Sequence, residues 1–318
     1  MSALIHARRW ASIFGSALIL MFFSEYFFLN EGPVIAVIDG LEGNLLTVFA
    51  DLAVFGMYYM LLTYVFLLAV QRYNVSTLLD LILAGALFGW ATESVLIPIA
   101  YEAVPFSIIW PSVGWHALID VLIGWYAVRH IMRLGRPLLT LLTFAVLGVV
   151  WGFWATWFWI EPETLQPLTP DTFTQYVFVT SAIWIIGMLI ADRFGTPTFN
   201  PPKWEQCLVM GIAAILFVLV ALPYLPFSLA LPPVIWLTLR ALRHSQADQP
   251  DDGDRLHLLR TQRPQWWTYG LAVLTPLIAA VVYRPVYEAG TGVPTEDITF
   301  ILLLVGTGVL IWGLTRPW

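Results

Sequence analysis

The sequence predicts an all-α protein, a polytopic transmembrane helix bundle of about ten helices with both termini cytoplasmic. Three observations carry that reading: an apolar composition, a succession of spanning-length windows, and a one-sided placement of Lys and Arg. Of the 318 residues, 59% are hydrophobic and 11% are charged, whereas a soluble domain carries about 25% charged residues. Most of this chain therefore cannot face water.

Apolar windows long enough to cross a hydrocarbon core follow one another along the chain. They cover 10–29, 45–70, 78–100, 113–128, 138–160, 173–191, 206–222, 227–239, 266–283 and 298–314. The first follows His6, Arg8 and Arg9 like a signal peptide, but Glu25 interrupts it and no small-residue cleavage site follows. It reads as a retained first helix. The seventh and eighth are separated only by the Pro-Tyr-Leu-Pro turn at 223–226. With the N-terminus inside and each window crossing once, 14 of the 15 Lys and Arg residues fall on the inner side and only Arg284 falls outside. Outer loops collect acids instead, Glu31, Asp39, Glu42, Glu161 and Glu163 among them. Merging windows seven and eight would scramble this partition, so ten crossings satisfy the positive-inside rule. The plasma (inner) membrane is the expected location.

The whole chain, 1–318, reads as one membrane domain. The only sizeable hydrophilic segment, 243–265, has a Gln-Pro-Asp-Asp-Gly-Asp centre and is expected to be a flexible cytoplasmic loop. Most of the 16 tryptophans fall near window ends, where an interfacial belt would place them. Trp110, Trp115, Trp154, Trp157 and Trp159 would mark the outer side, and Trp204, Trp266, Trp267 and Trp318 the inner. The net charge of −6 is small and no basic run with interleaved aromatics exists, which excludes a nucleic-acid partner. The single cysteine, Cys207, excludes an intrachain disulfide and a thiolate metal cage.

Ionisable side chains inside the hydrocarbon cost about 2.5–3.5 kcal/mol each on insertion scales, and so point to function. Glu25, Asp51, Asp80, Glu93, His116 and Asp120 are such residues, all in windows one to four (10–128). Windows five to ten (138–314) hold none away from their ends and read as a supporting bundle. Counted from the outer ends at 1.5 Å per residue, Glu25, Asp51, Glu93, His116 and Asp120 share one layer roughly 5–11 Å deep. Asp80 instead sits in the first turn of its helix, where an acid complements the helix dipole. His116 and Asp120 are spaced i, i+4 on one face, so the carboxylate can orient the imidazole. Pro98, five residues past Glu93, is expected to free the Ser94 carbonyl and kink the third helix.

The catalytic candidates are His116, Asp120 and Glu93. Glu25, Asp51, Glu93, His116 and Asp120 together would suit a divalent metal ion of hard or borderline character. Haem is not indicated: His116 and His130 are 14 residues apart, but no second helix carries a matching pair. The element from Trp115 to Asp120 resembles the His-x-x-x-Asp pattern of CAAX-type intramembrane proteases. Those enzymes also carry a Glu-Glu pair and a second intramembrane histidine, and here Ser94 follows Glu93 and no such histidine exists. Glycine-rich phosphate loops and the common hydrolase motifs are absent.

Three functions fit. The first is an integral membrane enzyme acting on a lipid-like or isoprenoid substrate, with membrane lipids as partners. The second is a proton- or cation-coupled small-molecule transporter, and the third a non-catalytic subunit of a membrane complex.

Overall fold

A computed structural model describes residues 2–43, 45–159, 167–196, 198–247 and 253–316, and among them there are helices and no strand. Nine helical stretches among the described residues are long and apolar enough to cross a membrane. Glu161, Glu163, Trp318 and the centre of the 243–265 segment lie outside the described residues.

Helix α1 (Ser2–Met21) continues as a π-helical turn over Phe22–Phe27. The short α2 (Glu31–Glu42) follows, then α3 (Leu45–Arg72). Helix α4 (Leu78–Ala91) also ends in a π-helical turn, Thr92–Leu96. Helix α5 is π-helical over Ser112–Ala127 and α-helical over Val128–Arg133. Next come α6 (Pro137–Trp154), α7 (Pro170–Arg193), α8 (Lys203–Ala221) and α9 (Leu231–Ala247). The chain closes with α10 (His257–Thr261), α11 (Trp266–Leu271), α12 (Leu274–Ala289) and α13 (Thr295–Thr315).

Local chemistry sets several of these ends. Thr77 caps α4 by accepting from the Asp80 backbone N–H, and its hydroxyl donates back to the Asp80 carboxylate at 2.8 Å, a reciprocal cap of the kind expected for Thr-x-x-Asp. Thr169 caps α7 in the same way, with Pro170 in the first turn, where a missing N–H costs nothing. Gly290 closes α12 in the left-handed region, φ +63°, which an L side chain would resist.

Helix α1 is the axis of the bundle. Every residue from Gly15 to Phe27 is buried, and α1 packs on α3, α5 and α7. Its crossing with α7 is a backbone-to-backbone contact. A Cβ at Gly15 would lie 2.4 Å from the Ala191 nitrogen, and one at Gly187 would lie 2.9 Å from the Gly15 carbonyl. Without a hydrophobic force between helices in lipid, such close packing of small residues is what holds them together. By contrast α8 buries only Glu205 and turns its apolar residues outward, as a lipid-facing helix would.

Side-chain bonds between helix ends show which ends lie together. Arg9 near the start of α1 pairs with Glu205 at the start of α8, and Ser12 accepts from the Thr196 N–H. At the start of α4, Asp80 receives Ser245 of α9 at 2.7 Å and Arg316 after α13. The beginning of α1 and the end of α13 therefore lie at the same end of the bundle. Helix α9 turns back from the far end, where Tyr224 packs on Tyr101 with ring centroids 5.7 Å apart, and reaches the Asp80 end. At 17 residues with a polar last turn it falls short of the nine, although it matches the window expected at 227–239.

Three expectations are corrected. The third helix does not kink at Pro98 and continue to 100; it stops at Leu96 and Ile97 is extended, as steric pressure from a following proline dictates. The freed Ser94 carbonyl meets the Tyr101 hydroxyl at 3.5 Å. The span 31–42, expected as outer loop, contains a helix. Segment 243–265 is ordered at both flanks, with α9 running to Ala247, α10 formed, and the Arg255 N–H donating to the Ser76 carbonyl at 2.8 Å.

Candidate functional site

All four described members of the predicted outer layer stand on π-helical turns, with Glu25 in 22–27, Glu93 in 92–96, and His116 and Asp120 in 112–127. Hydrogen bonds reach five residues back here, from the His116 N–H to the Pro111 carbonyl (3.1 Å) and from the Asn30 N–H to the Glu25 carbonyl (2.9 Å). Such turns are rare and gather at functional sites. They also leave carbonyls free for other donors. The indole of Trp115 donates to the Phe23 carbonyl (3.1 Å), that of Trp154 to Phe28 (2.8 Å), and the Tyr176 hydroxyl to Tyr26 (2.8 Å). Trp115 and Trp154 are buried and pack on each other at 4.9 Å, so these two tryptophans brace the site and do not belong to a belt.

Helices α4 and α5 meet through glycines. A Cβ at Gly89 would lie 2.0 Å from the Ser112 carbonyl oxygen, and one at Gly85 would lie 3.0 Å from the Ala117 Cα. Gly85, Gly89 and Glu93 are spaced four apart, so they share the face that presses on α5. That approach carries Glu93 onto His116. The imidazole is held between two carboxylates, Nε2 to Glu93 Oε1 at 2.6 Å and Nδ1 to Asp120 Oδ2 at 2.6 Å. His116 is 3% exposed, Glu93 4% and Asp120 0%.

The network extends to α1 and α3. Ser24 Oγ lies 3.2 Å from His116 Nδ1. The Tyr59 hydroxyl lies 2.6 Å from Ser24 Oγ and also bonds the Glu25 carboxylate. The Asn30 amide donates to Glu25 Oε2 at 2.7 Å. An unbroken path of hydrogen-bonding groups thus runs from Asn30 through Glu25, Tyr59, Ser24 and His116 to Glu93 and Asp120. Two acceptors at its inner end are left over: Glu93 Oε2 and Asp120 Oδ1 are buried with no hydrogen-bond partner among the described residues. Buried carboxylate oxygens normally have partners.

The structure brings together Glu25, Glu93, His116 and Asp120. The side chain of Asp51, on α3, lies outside the described residues. Thr92 and Ser94 do not join the network, since each hydroxyl bonds a carbonyl four residues back in its own helix. Tyr58 is exposed, so of the adjacent tyrosines only Tyr59 takes part. Asp80 stands apart, pinning helix ends.

The four described members of the proposed donor set do not fit a divalent metal ion. Both ring nitrogens of His116 face carboxylate oxygens at hydrogen-bond distance, on opposite sides of the ring, so no lone pair is turned toward a shared cation. No group of three or more His, Cys, Asp or Glu among the described residues is placed to hold one. What the trio can hold is protons. A neutral imidazole donates from one nitrogen only, so two short N···O contacts require either imidazolium or one protonated carboxyl. Beside the network lies an apolar crevice of about 510 Å³ between α2 and α3, lined by Tyr26, Pro33, Val37, Leu52 and Phe55. Phe55 stacks on Tyr59 at 6.2 Å, and Tyr26 follows Glu25.

No protein-family model, curated protein or solved structure matches the chain.

Proposed function

We propose that the protein is an intramembrane enzyme that transfers protons to and from a lipid-like substrate lodged between α2 and α3. The observation that carries this is the hydrogen-bonded path ending in two partnerless carboxylate oxygens, built beside an apolar crevice. Crevices of several hundred Å³ with a few convergent polar groups are the usual form of a small-molecule site. Glu93 takes up and returns the proton at the partnerless end of the path, His116 relays it, and Asp120 orients the ring. Tyr59 and Glu25 carry that relay to the crevice, whose wall includes Tyr26 and Phe55. On this reading the chain crosses the plasma (inner) membrane ten times, α9 included, and the arginine-bearing end that holds both termini is cytoplasmic.

The test is untargeted lipid mass spectrometry on membranes from cells expressing the protein, Glu93→Gln or His116→Gln. A lipid species that changes with the wild-type protein and with neither variant supports the enzyme. Identical lipid profiles for all three would sink it. A gradient-driven solute flux in proteoliposomes that Glu93→Gln abolishes would favour the proton-coupled transporter, which the same path of protonatable groups would serve. Impermeant maleimide labelling of cysteines placed at positions 10 and 316, in a Cys207→Ser background, checks the orientation, and labelling from the outer face would overturn it.

A further inference from the structure

A second polar centre lies away from His116, at the end of the bundle that holds both termini. Arg8 of α1, Arg129 and Arg133 of α5, and Arg260 and Arg263 of the α10 segment line a cavity of about 320 Å³ together with Asp192 of α7. Arg129 Nε and Nη2 lie 2.8 and 2.6 Å from Asp192 Oδ1, and Arg133 Nη2 lies 2.7 Å from the same oxygen. Both guanidinium groups and the carboxylate are buried. One carboxylate thus serves two buried cations. Its other oxygen takes the Tyr269 hydroxyl at 3.3 Å.

The remaining arginines do not restore the balance. Arg260 pairs with Asp254 at 2.9 Å. The side chains of Arg8 and Arg263 have no ion-pair or hydrogen-bond partner among the described residues. Five arginines against Asp192 and Asp254 leave an excess of three positive charges around one cavity. Arg8 and Arg263 reach solvent, but the two buried guanidinium groups share the single charge of Asp192, and an uncompensated buried charge is costly; arginine forks match phosphate oxygens in geometry and charge. Basic pockets between transmembrane helices on the cytoplasmic side take anionic head groups by this chemistry.

We infer that this cavity binds a phosphate-bearing anion, held by Arg8 and Arg263 from the open side and by Arg129 and Arg133 from within. The inference is independent of the role assigned to His116. The phosphate can belong to a lipid head group or to a soluble compound, and the two are separated by experiment.

Detergent-purified full-length protein is titrated with inorganic pyrophosphate by calorimetry. In parallel it is analysed by native mass spectrometry with phosphatidylglycerol against phosphatidylcholine. Saturable binding of at least one phosphate probe is expected, weakened by added salt and about tenfold or more by Arg8→Gln or Arg263→Gln. Arg284→Gln, far from the cavity, should leave it unchanged. Pyrophosphate binding without lipid selectivity identifies a soluble ligand, and retention of phosphatidylglycerol alone identifies a head group. Absence of saturable binding by both probes overturns the inference, as does equal weakening by Arg284→Gln. Arg129→Gln risks misfolding, so the half-buried Arg8 and the exposed Arg263 carry the test.

Discussion

The two buried polar clusters share helices yet are built in opposite senses. Helix α5 supplies His116 and Asp120 to one and Arg129 and Arg133 to the other; α1 supplies Ser24 and Glu25 to one and Arg8 to the other. His116 and Arg129 stand thirteen positions apart along α5. Around His116 acceptors exceed donors, and two carboxylate oxygens are left over. Around Asp192 cations exceed anions. The difference teaches that pairing and burial alone do not say what a cluster is for; the sign of what remains unmatched does. A surplus of acceptors on a proton-holding trio suits proton exchange, and a surplus of guanidinium suits an anion.

The sharpest way to break the comparison is Asp192→Asn, which removes the one charge shared by Arg129 and Arg133. Leaving a buried cation without its partner costs about 3–5 kcal/mol, so the thermal midpoint of the detergent-solubilised protein should fall more than for any other substitution considered. A midpoint within error of wild type would show that the arginines are compensated by other groups.

The next effect tests how the His116 cluster is assembled. Gly89→Ala puts a Cβ against the Ser112 backbone, which cannot move away as a flexible side chain would. Overpacking of this kind costs about 1–3 kcal/mol and should push Glu93 off His116. Gly211→Ala, where a Cβ meets open space, is the control and should not lower the midpoint. Equal midpoints for both would show that α4 and α5 do not depend on this contact. A smaller loss is expected for Tyr59→Phe, about 1–2 kcal/mol, because Glu25 and Ser24 keep other partners. No loss at all would mean that the hydroxyl is not part of the path.

Much of the architecture was legible in the sequence because a bilayer imposes coarse rules. Window lengths and charge placement located the helices to within a few residues at most ends. The depth count placed Glu25, Glu93, His116 and Asp120 in one layer, and the structure brings those four side chains together. What the sequence did not disclose was how the helices turn. The π-helical geometry of 22–27, 92–96 and 112–127 has no composition signal. The Gly85, Gly89, Glu93 spacing was in plain view, but it gains meaning only once Ser112 is found against it. Trp115 and Trp154 misled because their position in a window is that of a belt residue, and only the carbonyls they serve show otherwise. The arginine centre was not legible, since nothing in sequence joins Arg129 to Asp192, 63 positions on.

The smallest effect concerns the one exception to the charge partition. Arg284 pairs with Asp171 at 3.0 Å, but both side chains are mostly exposed, 56% and 87%. Such a pair has a high-dielectric surrounding and gives up side-chain freedom to hold its geometry, so its worth is about 0–1 kcal/mol. Arg284→Gln should therefore shift the thermal midpoint little, and the shift should shrink further as salt is added. This contact and the Arg129–Asp192 bond are both arginine–carboxylate pairs, at 3.0 and 2.6 Å, so the two variants isolate burial as the variable. If Arg284→Gln destabilised the protein as much as Asp192→Asn, burial would not be what gives the Asp192 bonds their weight, and the contrast between an exposed ion pair and the buried arginine centre would lose its basis.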